Sequence, residues 1–571
     1  MDLGTTTSTI GRVRDGRAEL IPGGSQVLMP SAVYIPETGP LLAGEAALRA
    51  GDRRPDRLIL SAKRAMGTPR LLGPADRLIS PVEASAAILL ALVARAYEFL
   101  GERPLRVVIT VPAWFNERQR QETRHAGAMA GLDVVRLLNE PTAAALAYAQ
   151  TTDDDRTVMV YDFGGGTFDV SIIRQHGRLV EVLASEGDVH LGGDDVDQAL
   201  EALLLTRLAP SPSPIESVAL PPQDRAAIRD AKVTLCREAE TTLTVSHGDF
   251  SLRREDLEDV VQPLIERTLQ AVYAVLHHAN LQREDLDELI LVGGSSGLPL
   301  VWETLHLHTG LEAHAGIPPR EAVGLGAAVQ AAMIDGQHTL GVLIDVAPFS
   351  LSVGVAAGGI PGFPTHFMCQ VVVPRNCALP SRHTYVTQTA DPIQQRIRLP
   401  VYQGASSDPR ENLFLTEVTL DDLPPALEGQ LSRPISIVME HNLDGMVSLE
   451  IRDELTLQRA TAALDADGQE HTEGRRRWER HATDHDLEFG DPRIVAQRVS
   501  EREVATEHAD RWFKHVLEHA EELGQQARTG PDTLLALARE GRLHVLAGRA
   551  AEAVETLERL RDEMFVEGVY L

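Results

Sequence analysis

The 571-residue chain has only three cysteines, Cys236, Cys369 and Cys377. That is too few for the disulfide framework of a secreted scaffold, so a reduced, cytoplasmic protein is expected. Nothing near Met1 resembles a secretory leader, since neither a basic segment nor an apolar core follows it. The longest apolar run near the start, Ala84 to Ala94, is too short to span a bilayer. Positive charge is also scarce. With 54 Lys plus Arg against 83 Asp plus Glu, the formal net charge is −29. This argues against nucleic acid and anionic membranes as partners, because both are bound by neutralising phosphates. Lysine is rarest of all: Lys63, Lys232 and Lys514 are the three lysines among 54 basic residues. An ammonium kept in an arginine-rich chain marks a place where a planar guanidinium does not serve. The remaining composition, 43% apolar and 24% charged, is that of a soluble globular protein with room for three or four domains.

Two short segments repeat one pattern. Asp2-Leu3-Gly4-Thr5-Thr6-Thr7 and Asp162-Phe163-Gly164-Gly165-Gly166-Thr167 each place an Asp at a strand end, then glycine, then hydroxyls. Glycine lets backbone N–H groups close on phosphate oxygens, and carboxylates suit a hydrated Mg²⁺ that keeps most of its waters. A single such loop is commonly only a turn. Two of them, one opening each half of a long segment, point to a pair of lobes clamping one nucleotide. Asp2 follows only Met1, whereas a loop of this kind closes a strand of about five residues, so a start further upstream is expected.

Further landmarks narrow the class. Leu289 to Val292 is a buried-type strand running into Gly293-Gly294-Ser295-Ser296, with a helix expected from Pro299. Asn139-Glu140-Pro141 opens a helix of small residues, and Asn116 caps another that ends near Gly131. With Val108 to Phe115 upstream, the order and spacing of these blocks resemble the DnaK-type seventy-kilodalton heat-shock chaperones, from Asp2 to about Asp453. The resemblance implies an α/β fold. A two-lobed actin-like ATPase domain is expected at 1–336, an interdomain linker at 337–345, a β-sandwich substrate-binding domain at 346–455 and a lid-like helical region at 456–571.

The resemblance also implies an ATP-dependent chaperone that binds and releases unfolded polypeptide segments, with ATP and Mg²⁺ as cofactors. J-domain co-chaperones and nucleotide exchange factors are the implied partners. Asp2, Asp162 and Asp169 face the hydrated ion and the attacking water. Lys63 stabilises developing charge, Glu140 couples nucleotide state to lobe closure, and Thr167 completes the catalytic set. Gly4, Thr5, Thr6, Thr7, Gly164, Gly165, Gly166, Gly192, Gly193, Gly293, Gly294 and Ser295 grip the nucleotide. Lys63 and Lys232 fall on the family's two nucleotide-site lysines, an outcome that random placement among 54 basic positions seldom gives. Pro112, Arg120, Arg136 and Asp345 are the expected relay between linker and nucleotide, and Asp345 is expected against a face formed by Arg136, Asn139 and Thr142. The family's Glu, Lys and Ser around the ribose fall on Arg229, Lys232 and Cys236. Its base-stacking residue falls on Gly297, so the phosphate grip is kept and the base grip is degraded. The regions after Lys63 and around Ser211, where exchange factors grip, are shorter than in the family.

Val342-Leu343-Ile344-Asp345 reads as the linker by position and as one more strand by pattern. Beyond it, Gln370 to Val373, Thr384 to Gln388 and Arg396 to Tyr402 alternate with turns, and Pro434 to Met439 and Met446 to Arg452 flank an Asp444-Gly445 hairpin turn. Ile397 falls on the family's peptide-pocket floor and equally suits sandwich core; Ala356 and Ala390 fall on the arch over bound peptide. Gly474 to Trp478 is a basic knot in an acidic setting, best read as solvated. His481 and His485 lie four apart but lack a third ligand for a metal. Glu540 to Glu563 has helical spacing around Gly541 and Gly548 and reads as helix–turn–helix. A regulatory protein that keeps the nucleotide switch but serves one dedicated partner is the alternative function. A sugar kinase or filament protein is disfavoured, since neither needs the linker and β domain.

The scarcity of lysine generates a prediction. Lys63→Arg lowers single-turnover ATP hydrolysis by roughly a hundred- to a thousandfold while leaving nucleotide affinity in place. Wild-type hydrolysis by that variant contradicts the special role of the ammonium.

Overall fold

A computed structural model describes residues 1–150, 154–208, 220–314, 316–337, 342–357, 366–389, 394–421, 423–424, 432–463, 517, 532–546, 556 and 560. The chain divides into two compact units, one built on Met1–Pro348 and the other beginning at Phe349. Ala390, the Gly474 to Trp478 knot, His481 and His485 lie outside the described residues, as does most of the proline-rich stretch around Ser211. Among the described residues, no helix is long and apolar enough to cross a membrane.

In the first unit, helix α1 (Pro81–Leu100) begins where Ser80 and Glu83 satisfy each other's backbone N–H groups, and it stops at Gly101 with φ of 76°. Strand β1 (Arg106–Val111) leads to α2 (Glu117–Met129), which Asn116 and Gln119 cap in the same reciprocal way. The chain returns as β2 (Asp133–Asn139), parallel to β1, and passes directly into α3 (Glu140–Ala149). This first half has its own apolar core, drawing on Ile35, Leu89, Leu92, Ile109 and Leu137.

The second half is built on a five-stranded sheet. Its strands are β3 (Arg156–Phe163), β4 (Phe168–His176), β5 (Leu179–Asp188), β6 (Glu288–Val292) and β7 (Val342–Ile344), in the order β6-β3-β4-β5-β7. Helices α4 (Gly193–Leu208), α5 (Pro222–Leu235), α6 (Arg254–Ala279) and α7 (Pro299–Thr309) contribute to a second core around Tyr161, Phe163 and Phe168. A third cluster joins the halves through α3 and α8 (Ala322–Ile334), with Val108 and Leu138 on one side and Val160 and Ile290 on the other. The small side chains of α3 and α8 are needed here. A Cβ on Gly326 would lie 1.6 Å from the Ala143 carbonyl oxygen, so no larger residue fits that crossing.

Val342–Ile344, expected as a linker or as a strand, pairs parallel to Leu179–Glu181 at the edge of this sheet. Leu343 and Val346 pack on the cluster that joins the halves. Leu343 and Ile344 are half-buried on the first unit, while Val342 stays exposed.

The second unit has two four-stranded antiparallel sheets. Strands β8 (Leu351–Ala357), β9 (His366–Val373), β11 (Ile397–Gln403) and β12 (Leu413–Leu420) form one, in the order β9-β8-β11-β12. Strands β10 (Ser381–Gln388), β13 (Pro434–His441), β14 (Val447–Asp453) and β15 (Arg459–Ala463) form the other, in chain order. One apolar cluster draws Val353, Leu399 and Val401 from the first sheet and Ile437, Met439 and Ile451 from the second. The expected hairpin is present, with His441 opposite Val447. Helix α9 (Asp532–Leu546) has Gly541 in its interior, and Gly548, the other glycine of the expected helix–turn–helix, lies outside the described residues. One glycine inside a helix costs only about 1 kcal/mol, and the buried Leu537 and Ala538 offset it.

Candidate functional site

The site is assembled by strand ends. Strand β3 delivers Asp162, β4 delivers Asp169, and the two are directly opposite in the antiparallel register. Between them Gly164 to Thr167 turns tightly, the Gly164 N–H donating to the Thr167 carbonyl at 3.0 Å. In the first half, Asp2 pairs its backbone with Thr9 at 2.8 and 3.0 Å, and the Thr110 hydroxyl donates to its carboxylate at 3.0 Å. The two glycine loops face each other: a Cβ on Gly165 would stand 1.9 Å from the Thr6 hydroxyl. Thr5 and Thr167 are buried beside them, whereas Thr7 has become a strand residue opposite Pro30.

A third element closes the far corner. The Gly193 N–H and the Ser295 hydroxyl both donate to the Gly164 carbonyl, at 3.0 and 2.8 Å. Lys232 on α5 donates to the Gly193 carbonyl at 2.9 Å and pairs with Asp197 at 2.7 Å. Gly192, Gly293 and Gly294 belong to the same turns; a Cβ on Gly192 would lie 2.5 Å from the Gly166 nitrogen. The predicted loop residues and both predicted lysines therefore converge on one place.

Charge is concentrated there. Asp2, Asp162, Asp169 and Glu140 are all buried, and the ammonium of Lys63 forms a buried ion pair with Glu140. Lys63 also sits 5.5 Å from the centre of the Phe115 ring. Burial, reinforced by the Glu140 carboxylate, raises Asp2 to about 6 and Asp169 to about 8. Asp162 is pushed well above the ordinary carboxylate range for the same reasons, with Asp169 and Asp2 adding to the effect. Four carboxylates and one ammonium leave an excess of negative charge that a divalent cation would offset. Among the described residues, no three His, Cys, Asp or Glu side chains are grouped to hold an ion. The carboxylate oxygens gathered here are the donor type Mg²⁺ takes, and that ion needs only one or two of them beside its waters.

A hydrogen-bonded path leads away from this cluster. The Trp114 N–H donates to Asp169 at 3.2 Å. Arg120, on α2, donates to the carbonyls of Ala113 and Phe115 at 2.9 and 3.1 Å and to the Asn139 side chain at 2.7 Å. The Asn139 amide and the Thr142 hydroxyl each donate to Asp345 at 3.1 Å. Pro112 begins the buried turn that Arg120 braces, its carbonyl accepting from the Phe115 N–H at 3.1 Å. Burial lowers the pKa of Arg120 from its ordinary value, an effect Asp345 opposes, and burial raises that of Asp345.

Not every expected residue joins. Among the described residues Arg136 makes no ion pair with Asp345; the guanidinium acting on that carboxylate is that of Arg120. Arg136 is three positions from Asn139 on β2, so the two side chains leave opposite faces of the strand. Ile397 is buried in the core of the second unit, and Ala356 lies on β8 opposite Phe367. The functional candidates missed by sequence reasoning, Thr110, Trp114 and Asp197, carry no local motif; strand register and helix packing bring them in.

The mixed α/β architecture of the first unit, with glycine turns closing on buried carboxylates, is that of the actin-like ATPase fold. The family model described as "Hsp70 protein" matches residues 73–558. The protein named "Chaperone protein DnaK" from Thermotoga neapolitana is 36% identical over 479 residues, covering 79% of this chain and 78% of its own. Its namesakes from Thermotoga petrophila and Thermotoga maritima are 37% identical over the same length and coverage. The chain belongs to the Hsp70 family, whose members are nucleotide-binding ATPases.

The carboxylate cluster sets a pH dependence. Asp2 and Asp169 have folded pKa values raised above the unfolded value of 3.8, to about 6 and about 8. Their contribution to metal-free stability is therefore full below the unfolded value and is lost as pH rises through about 6 and then about 8. Mg²⁺ binds the ionised form, so its stabilisation, read as a shift in melting temperature, grows between pH values of about 6 and about 8. A shift that stays equal across that interval contradicts the assignment.

Proposed function

We propose that this chain is an ATP-driven chaperone that hydrolyses ATP in the first unit and uses the Val342–Asp345 segment to control polypeptide binding in the second. One observation carries the proposal: the continuous path from Asp345 through Asn139 and Arg120 to the Ala113–Trp114 turn and Asp169. A residue at the end of the edge strand thus shares hydrogen bonds with the elements that hold the buried carboxylates.

The chemistry follows from the placement of charge. The backbone N–H groups of the two glycine loops, with Thr5, Thr6 and Thr167, hold the phosphate chain. Asp2, Asp162 and Asp169 would hold Mg²⁺, which would supply charge neutralisation for the phosphates. The carboxylates orient a water toward the γ-phosphorus and draw off its proton. A new P–O bond forms as the bond to the β-phosphate oxygen breaks, giving ADP and phosphate. Lys63 meets the charge that develops on the transferred group, and its pairing with Glu140 keeps it aimed there without reorganisation. Glu140 follows Asn139 directly, so movement of one is felt by the other. The two antiparallel sheets of the second unit serve as a β-sandwich for extended polypeptide.

The test is release of a fluorescent unfolded peptide. The wild-type chain is expected to release bound peptide when ATP is added. Asp345→Ala is expected to bind ATP and peptide separately as before and to lose ATP-triggered release. Release by that variant at the wild-type rate contradicts the relay. Tight nucleotide binding with no affinity for any general peptide would instead favour a switch serving one dedicated partner.

A further inference from the structure

We infer that Arg320 holds the base of the bound nucleotide, supplying from the α8 side of the fold the cation that Gly297 does not. The inference rests on the nucleotide reading proposed above, and it concerns the end of the ligand opposite the reacting phosphate.

The polarity of the site is given by its own residues. Lys63, Glu140 and the three aspartates mark the reacting end. On that reading the corner where Ser295, Gly193 and Lys232 converge on the Gly164 carbonyl is the end that takes the nucleoside. A group attached to the phosphate chain beyond that corner emerges past Gly294, the neighbour of Ser295. The surface there is bare. Nothing lies within 4 Å of a Cβ placed on Gly297, and for Gly294 the nearest atoms are Cδ and Nε of Arg320, at 3.9 Å.

Arg320 is brought there by a fixed turn. The Gly293 N–H donates to the Pro319 carbonyl at 3.1 Å, and the Glu321 N–H to the Pro318 carbonyl at 2.9 Å. Two successive prolines restrict the turn further. Unlike Arg229, which pairs with Asp197, Arg320 makes no hydrogen bond or ion pair among the described residues. The result is an uncommitted planar cation, anchored at its backbone, beside an open glycine surface. A flat aromatic ring seated on that surface would meet the guanidinium face, the geometry of cation–π stacking. The expectation from Gly297 alone, a weakly held base, is thereby revised: the stacking cation comes from a different turn.

Calorimetric titration of the full chain with MgADP and with magnesium tripolyphosphate separates base from phosphate. Arg320→Ala is expected to weaken ADP binding by roughly three- to tenfold, the equivalent of one partly desolvated cation–π contact. Tripolyphosphate affinity is expected to stay unchanged, and Gly297→Arg added to Arg320→Ala is expected to recover the lost ADP affinity. Unchanged ADP affinity in Arg320→Ala overturns the inference, as does an equal loss for tripolyphosphate, which would make Arg320 a phosphate contact. A wild-type chain that binds tripolyphosphate as tightly as ADP also overturns it while leaving the phosphate site intact. A wild-type chain that binds neither overturns the nucleotide reading itself.

Discussion

The buried ion pair between Lys63 and Glu140 is the interaction on which the rest of the first unit depends. Three aspartates and a glutamate crowd one dry volume, and a single ammonium stands against them. Removing water from charges is costly, and breaking such a pair would leave one of them uncompensated. The fold tolerates the crowding because burial and the neighbouring charges hold Asp2, Asp162 and Asp169 protonated above the ordinary carboxylate range. Under the proposed function, a ligand carrying Mg²⁺ and phosphate would offset the charge gathered there. Glu140 heads α3, the helix whose packing on α8 joins the two halves, so the pair lies beside that junction.

The backbone continues what the ion pair begins. Asn139 occupies the position before α3, where its residue type ordinarily caps the helix, yet its side chain caps nothing there. It is spent instead between Arg120 and Asp345. A capping bond is worth about 1 kcal/mol, so its loss is a modest cost set against a junction that joins strand β2, helix α2 and the edge strand. Edge pairing of Val342–Ile344 with β5 adds a backbone component that a side-chain contact alone would lack. The segment is thus held by apolar burial, strand pairing and a buried carboxylate at once.

Much of this was readable in the sequence, for identifiable reasons. Glycine loops, capping residues and hairpin turns are local, so Gly164 to Thr167, Asn116 and Asp444-Gly445 announce themselves without tertiary information. The lysines were readable for a different reason: a chain that uses arginine almost everywhere makes Lys63 and Lys232 conspicuous, and both lie at the site. What failed was non-local. Arg136 is the cation expected against Asp345, and strand parity turns it away while the buried Arg120 takes that place. Arg320 gives no signal at all in sequence, since its role depends on the Gly293–Pro319 hydrogen bond that brings two distant turns together.

The central claim is that occupancy of the carboxylate site governs the docking of Val342–Ile344. Amide hydrogen exchange of those three residues measures this directly, in the nucleotide-free chain and with ATP and Mg²⁺ added. Slower exchange with ATP, reverting after hydrolysis and absent in Asp345→Ala, is the predicted result. Exchange at the same rate in all these states would contradict the coupling, however well the chain bound or hydrolysed ATP.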